Sequence, residues 1–319
     1  MYHKKHFVWR YKLFFMLYSL FSLSGCGNHA SENTSPPPSH TEQTTIRPNT
    51  PTIYQPEASG ESILGTSTSL WIDTSHVDQG YVMARYLGDA AKANIQITGS
   101  DGISYKYFLT ASEVYTPLPL TSGNGTYQID GYENVVDNKY TILFKESVNV
   151  ELENEFLPFL YPNQYVNFDA NSEAVTVASS IVENVESDLD AVANIYHYVV
   201  EHIQYDETKA EQITLGYLPN IDETLHTQTG ICFDYAALTT AMLRSQNIPT
   251  RLEIGYSGDV YHAWISVYIK EVGWIDNIIE FSGDSWTRMD PTFASSNHNN
   301  KKILEYIGDG SNYTVQYIR

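Results

Sequence analysis

The chain has 319 residues, 42% of them hydrophobic, with 18 basic against 38 acidic side chains and a formal charge of −20. That length suffices for two domains at about 100–200 residues each, while the acidic balance excludes nucleic acid and a bare anionic bilayer as natural partners, since both select for surplus Lys and Arg. With only two cysteines, Cys26 and Cys232, no disulfide framework is expected.

At the N-terminus, Lys4, Lys5, Arg10 and Lys12 precede or flank the apolar run from Leu13 to Phe21, and Leu23-Ser24-Gly25-Cys26 follows. A basic start, a short apolar stretch and small residues at its end make an export signal, and the run is well short of the ~20 residues that a membrane-crossing helix needs. The tetrapeptide at 23–26 resembles the bacterial lipobox. The resemblance implies removal of residues 1–25, acylation of Cys26, and a protein held by a lipid anchor on the extracytoplasmic side of the cell membrane. Cys232 would then be an unpaired thiol in an exported protein. Residues 26–62 are dominated by Ser, Thr, Pro, Asn and Glu and include Pro36-Pro37-Pro38; they offer too little apolar surface to offset ordering, and a disordered tether is expected.

Residues 67–166 change character, with tyrosines and β-branched residues broken by Gly99-Ser100-Asp101-Gly102 and Ser122-Gly123-Asn124-Gly125. Strands are predicted over 70–73, 81–86, 93–98, 104–109, 126–132 and 140–152, a spacing that suits a small antiparallel β-sandwich. Pro158, Pro162 and Asn163 mark the boundary with the region 170–319.

There the apolar period lengthens to that of a helix. Ala174, Val177, Ala178, Ile181 and Val182 form one stripe behind Ser172 as N-cap, and Val192, Ile195, Tyr196, Val199 and Ile203 form a second behind Asp188. A third helix is expected from about Gly230–Cys232 to Gln246, followed by strands over 251–256, 262–268 and 272–279. Helices followed by antiparallel strands describe an α+β layer. His197 and Glu201 stand one helical turn apart, but no further ligand types accompany them, so no metal site is expected.

Cys232, His262 and Asp290 are the residue types of a nucleophile, its base and the group that orients the base. A cysteine in the first turn of a helix meets unsatisfied amides and the positive end of the dipole, which favour the thiolate and can hold an oxyanion. A strand presents His262 rigidly, and Asp290 stands before Pro291, where a strand leaves a sheet. Taken singly, each residue has a commoner structural use, as a buried thiol, a core histidine or a turn former.

Their setting is more specific. Ile203-Gln204-Tyr205-Asp206, Gly230-Ile231-Cys232-Phe233-Asp234-Tyr235-Ala236, the run from Met242 to Arg251, Gly255-Tyr256, His262-Ala263-Trp264, Trp286 and Asp290-Pro291-Thr292 together resemble the transglutaminase-like superfamily, the papain-related thiol fold, over about 172–295. The resemblance implies a catalytic domain of that fold behind the β-sandwich, with Cys232 as nucleophile, His262 as general base and acid, and Asp290 as orienter. The stretch between His262 and Asp290 is longer than the family's usual hairpin and contains Asp276 as a competing carboxylate. Gln228 is a candidate second oxyanion donor. The implied chemistry is acyl transfer on amide bonds without metal or organic cofactor: hydrolysis of a peptide or isopeptide bond in a protein, peptide or cell-wall substrate, with amine crosslinking as the alternative acceptor reaction. A binding module that keeps the fold without catalysis is the other class of function open to it. The oligomeric state is not legible.

Overall fold

The computed structural model describes residues 46–319 except 215, 258, 271, 277–280, 283–284 and 287–312. Cys26 and Asp290 therefore lie outside the described residues, as do the signal segment and most of the Asp290-Pro291-Thr292 context. Residues 44–319 form one compact unit that holds two large hydrophobic cores.

The first core lies between two antiparallel four-stranded sheets. One has the order β1 (Ile63–Leu64), β2 (Leu70–Asp73), β3 (Tyr81–Tyr86) and β6 (Thr116–Pro119); the other runs β5 (Ser104–Leu109), β4 (Ala93–Thr98), β7 (Gly125–Val136) and β8 (Lys139–Val150). Leu70, Ile72, Val82 and Tyr86 from one sheet meet Ile95, Ile97, Tyr107 and Ile129 from the other, as the period of two in a sandwich strand requires. Strand β6 escapes sequence reading because Pro117 and Pro119 interrupt it. It is tolerated because, among the described residues, it pairs only with β3 and stands at the edge of its sheet.

The second core gathers the helices onto a sheet. Helix α1 spans Glu173–Ile181, α2 Asp188–His202, α3 Glu207–Gln212, α4 Ile221–Thr227 and α5 Cys232–Ser245. The short strands β9 (Gln204–Tyr205) and β10 (Thr229–Gly230) pair in parallel. Strands β11 (Thr250–Ser257), β12 (Val260–Ile269) and β13 (Gly273–Ile275) are joined in the order β13-β12-β11-β16 by β16 (Tyr313–Ile318), and β14 (Phe281–Ser282) and β15 (Ser285–Trp286) form a separate pair. The cap of α2 is Ser187, whose hydroxyl accepts the Asp190 amide, rather than Asp188, which instead pairs with Arg47. Ser172 occupies the N-cap position of α1 without bonding the helix; its hydroxyl accepts from the Asp169 amide upstream. Strand β13 ends at Ile275, so Asp276 is the exposed residue just beyond it.

The stretch expected to stay disordered up to residue 62 differs from about Arg47 onward. Arg47 bonds Asp188 and the Gln246 carbonyl, Thr52 bridges to Gln246, and Ile53 packs on the helical core. A few anchoring side chains suffice to order a segment of poor overall hydrophobicity when they meet an existing surface.

Two arginines link the cores. Arg244, fully buried in α5, donates to the carbonyls of Tyr161, Thr250 and Arg319. Arg319 exchanges both backbone hydrogen bonds with Leu252, and its guanidinium lies 4.5–5.3 Å from the rings of Tyr105, Tyr107, Tyr165 and Tyr317. Tyr165 continues this contact to Phe233, the neighbour of Cys232.

Candidate active site

Cys232 is the first residue of α5. Ile231 before it is extended (φ −99°, ψ 174°) and has no side-chain acceptor with which to cap the helix. The end is secured in the opposite sense by Asp234, whose Oδ2 accepts the Ile231 amide at 2.9 Å, using a carboxylate where the helix dipole favours one. Asp234 is wholly buried. Its other partners are the Tyr217 hydroxyl, which donates to Oδ1, and Lys209 Nζ, 2.8 Å from Oδ2. Gly230 is needed for this arrangement: a Cβ there would stand 2.8 Å from the Asp234 Cβ and 3.3 Å from its Oδ2. Tyr235 anchors the next turn by donating to the Ile203 carbonyl at 2.5 Å.

His262 lies on β12 opposite Gly255 of β11. Glycine is required at 255 because a Cβ would come within 2.0 Å of the Thr314 carbonyl on β16. The imidazole is 6% exposed and stacks with Trp264, ring centroids 6.2 Å apart. Trp264 is in turn held by its indole N–H, which donates to Glu253 at 2.7 Å. Burial pushes the Glu253 carboxyl above its usual range against the hydrogen bond from Trp264.

The sulfur and the histidine strand meet. The Ala263 amide, adjacent to His262 in the chain, donates to the Cys232 thiol, as does the Phe233 amide of the helix start. Cys232, His262, Ala263 and Tyr205 line one cleft of about 440 Å³. Here the expectation of a thiol favoured as thiolate by its helix is corrected: burial is the larger effect and pushes the Cys232 thiol up, with the Ala263 and Phe233 amides only partly opposing it and the Asp234 charge adding to it. Activation of the thiol has then to come from a neighbouring charge.

Asp276 follows the strand residue Ile275, which pairs with Val267, and so lies near the level of Ser266, four positions along β12 from His262 or roughly 13 Å at strand rise. Gln228 is exposed in a left-handed conformation (φ 55°) and does not line the cleft. Tyr205 does. The parallel pairing of β9 with β10 sets it beside Gly230, and burial followed by the charge of Cys232 pushes its phenol up. Sequence reasoning had marked Tyr205 only as part of a run ending a helix. His197 and Glu201 gain no third ligand, since no group of three His, Cys, Asp or Glu occurs at metal-binding spacing among the described residues.

Missed outright was the segment 207–217. Ala210, Ile213, Thr214, Gly216 and Tyr217 make one wall of the cleft, and Lys209 and Tyr217 tie that wall to Asp234. Its polar composition gave no helical stripe; the signal that could have found it is Asp206, whose carboxylate accepts the Lys209 amide as an N-cap.

Residues 175–291 match the family model described as the transglutaminase-like superfamily. Kyphoscoliosis peptidase of Mus musculus is 25% identical over 177 residues, covering 47% of this chain and 26% of that protein. A UPF0252 protein of Methanocaldococcus jannaschii is 33% identical over 90 residues, 24% of this chain and 26% of that protein. The chain thus spans about a quarter of the length of these relatives. Among solved structures, a candidate cysteine protease from Cytophaga hutchinsonii overlays with a TM-score of 0.33 at 18% identity, covering 59% of this chain and 66% of that one. Red sea bream transglutaminase does so with a TM-score of 0.24 at 14% identity, covering 66% and 48%. The overlays are loose and add no weight to the family match. Over residues 175–291 this chain carries a transglutaminase-like domain.

Proposed function

We propose that this protein is an exported, lipid-anchored thiol hydrolase that cleaves peptide or isopeptide bonds through Cys232, His262 and Asp290. The observation that carries the reading is the meeting of the first turn of α5 with β12, where the sulfur accepts the amide next to His262 inside a shared cleft. His262 takes the thiol proton, and the thiolate adds to the amide carbonyl. The resulting oxyanion is held by amides of the helix start. Collapse breaks the C–N bond, His262 returns the proton to the departing amine, and a thioester remains. Water, deprotonated by His262, then adds to the thioester and releases the acid and the thiol. Asp290 holds the imidazole tautomer. The resemblance to a relative described as a peptidase favours water over an amine as acceptor. Neither half-reaction needs a metal or organic cofactor.

The test is incubation of the purified chain with peptide libraries, with and without an added primary amine, followed by mass spectrometry. Hydrolysis gains one water per cleaved amide, crosslinking gives amine adducts with loss of ammonia, and Cys232→Ala abolishes both. A wild-type chain that changes no amide while binding a surface polymer would replace this reading with the non-catalytic one. Acylation at Cys26 is tested by mass and by detergent partition of the exported protein against Cys26→Ala.

A further inference from the structure

Outside the reacting groups, the side chain with the most concentrated chemistry is Asp234. It is fully buried yet bonded to three groups from two parts of the chain: the Ile231 amide at the start of α5, and Lys209 of α3 with Tyr217 from the loop that follows it. A charge buried in this way is retained at a cost in desolvation, which directs attention to what it holds in place. It holds a wall. Ala210, Ile213, Thr214 and Tyr217 face the cleft that contains the thiol, while Ile254 and Tyr261 lie across from them.

The two faces of this segment differ in chemistry. A second hollow, which shares Ile213 and Tyr217 with the cleft, is otherwise lined by polar side chains, among them Asp206, Lys209 and Glu223. On the cleft side no Asp, Glu, Lys or Arg is among the described lining residues, in a chain whose formal charge is −20. Of the lining residues, Ile213 is 37% and Tyr261 55% exposed, and Tyr256, 39% exposed and outside the lining, meets Tyr261 edge to face at 5.4 Å. Exposed apolar side chains gathered around a reactive group form a surface that awaits an apolar occupant.

We propose that the wall formed by Ala210, Ile213, Thr214, Gly216 and Tyr217, latched by Asp234 to the helix that carries Cys232, sets the specificity of the site, and that it accepts acyl donors with an uncharged apolar or aromatic side chain next to the carbonyl. The occupant follows from position, because whatever fills a cleft floored by the thiol is the group presented to that thiol. The inference deepens the acyl-transfer reading and rests on it. Substituting Ile213 by Asp sets a charge in the apolar wall, and selectivity is expected to shift roughly 10- to 100-fold.

The experiment measures protection of Cys232 from iodoacetamide by short peptides that differ only in Leu, Phe, Glu or Lys beside the target amide, on the full chain and on Ile213→Asp. Leu and Phe peptides are expected to protect at least tenfold more effectively than the Glu peptide. In Ile213→Asp that preference collapses and the Lys peptide gains, while the alkylation rate without peptide shows whether the thiol site has survived. Equal protection by Leu and Glu peptides overturns the proposal, as does an unchanged preference in Ile213→Asp. If Ile213→Asp fails to fold, Ile213→Ser provides the same comparison with a smaller expected loss. Selective protection without any amide loss in the mass spectrum would sink the hydrolase reading alone, so the two failures are distinguishable.

Discussion

Replacing His262 by Ala should move the titration of Cys232 upward, and the size of the move measures how far the imidazole activates the sulfur. Burial keeps the thiol above its ordinary 9.0, and the Ala263 and Phe233 amides offset only part of this. Without the imidazole, the sulfur is anionic to no more than ~1% at pH 7. An imidazolium beside it lowers the thiol, and each unit of lowering multiplies the anion about tenfold at pH below both values. A Brønsted slope of about 0.4–0.5 takes back roughly threefold per unit in nucleophilicity. A two-unit activation therefore gives a net gain of about tenfold in alkylation rate at pH 6. The inflection of the pH profile is the sharper readout, since it moves by the whole two units. The assay is second-order alkylation by iodoacetamide from pH 5 to 10, with His262→Ala beside wild type and intrinsic fluorescence of the Trp264 region as a check on folding. The imidazole raises the wild-type rate at low pH only if it shares a proton with the sulfur, and coincident profiles for the two proteins would refute that pairing.

Lys209→Met should leave the Asp234 carboxylate buried with two neutral donors, at a cost of about 1–3 kcal/mol, discounted because Lys209 is about a third exposed. Burial lowers the lysine, but the hydrogen bond and charge of Asp234 outweigh it and hold it above its usual value. The stabilisation is therefore full below the ordinary lysine range near 10.4 and fades only above it, so urea midpoints of the two proteins should stay apart from pH 6 to 9 and converge in stronger alkali. Arg244→Met removes the donor to three buried carbonyls. A loss of about 3 kcal/mol or more is expected, read as a lower urea midpoint at unchanged slope, with alkylation of Cys232 in the folded protein retained. Asp290→Asn should lower kcat by about 100-fold or more by releasing the imidazole tautomer, while Asp276→Asn should stay within about twofold of wild type. The reverse order in steady-state kinetics would make Asp276 the orienter.

The parts of the fold legible in the sequence were those governed by local periodicity. The stripes of α1 and α2 and the alternation of β2 to β5 carry their apolar residues at the period of the element they form. The start of α5 was legible for a different reason, since Gly230-Ile231-Cys232-Phe233-Asp234-Tyr235-Ala236 is one of the runs that carry the resemblance to the transglutaminase-like superfamily. Elements held by distant partners were not. Strand β6 is specified by its pairing with β3 despite two prolines, and β16 by its register on β11, where Gly255 opposes Val315 next to a bulge. Neither leaves a periodic mark, because the ladder bonds that select them belong to the backbone.

The cleft shows the same division at the level of single residues. Cys232 and His262 stood out because thiol and imidazole are rare residue types in a recognisable setting, and both line one cleft. Whether the thiol is raised or lowered could not, because this depends on the balance between desolvation and amide donors, and that balance exists only once α5 is packed against β12. Asp234 marks the limit most clearly. In the sequence it is one acidic residue among many at the start of a helix, where the dipole accounts for it. Its burial, and its bonds to Lys209 and Tyr217, 25 and 17 residues upstream, make it the link between the helix that carries Cys232 and the neighbouring wall of the cleft. A charge change at Asp234 should therefore act on two quantities together, the titration of Cys232 and the choice of acyl donor. A purely structural carboxylate would lower stability and leave both unchanged in the fraction that folds.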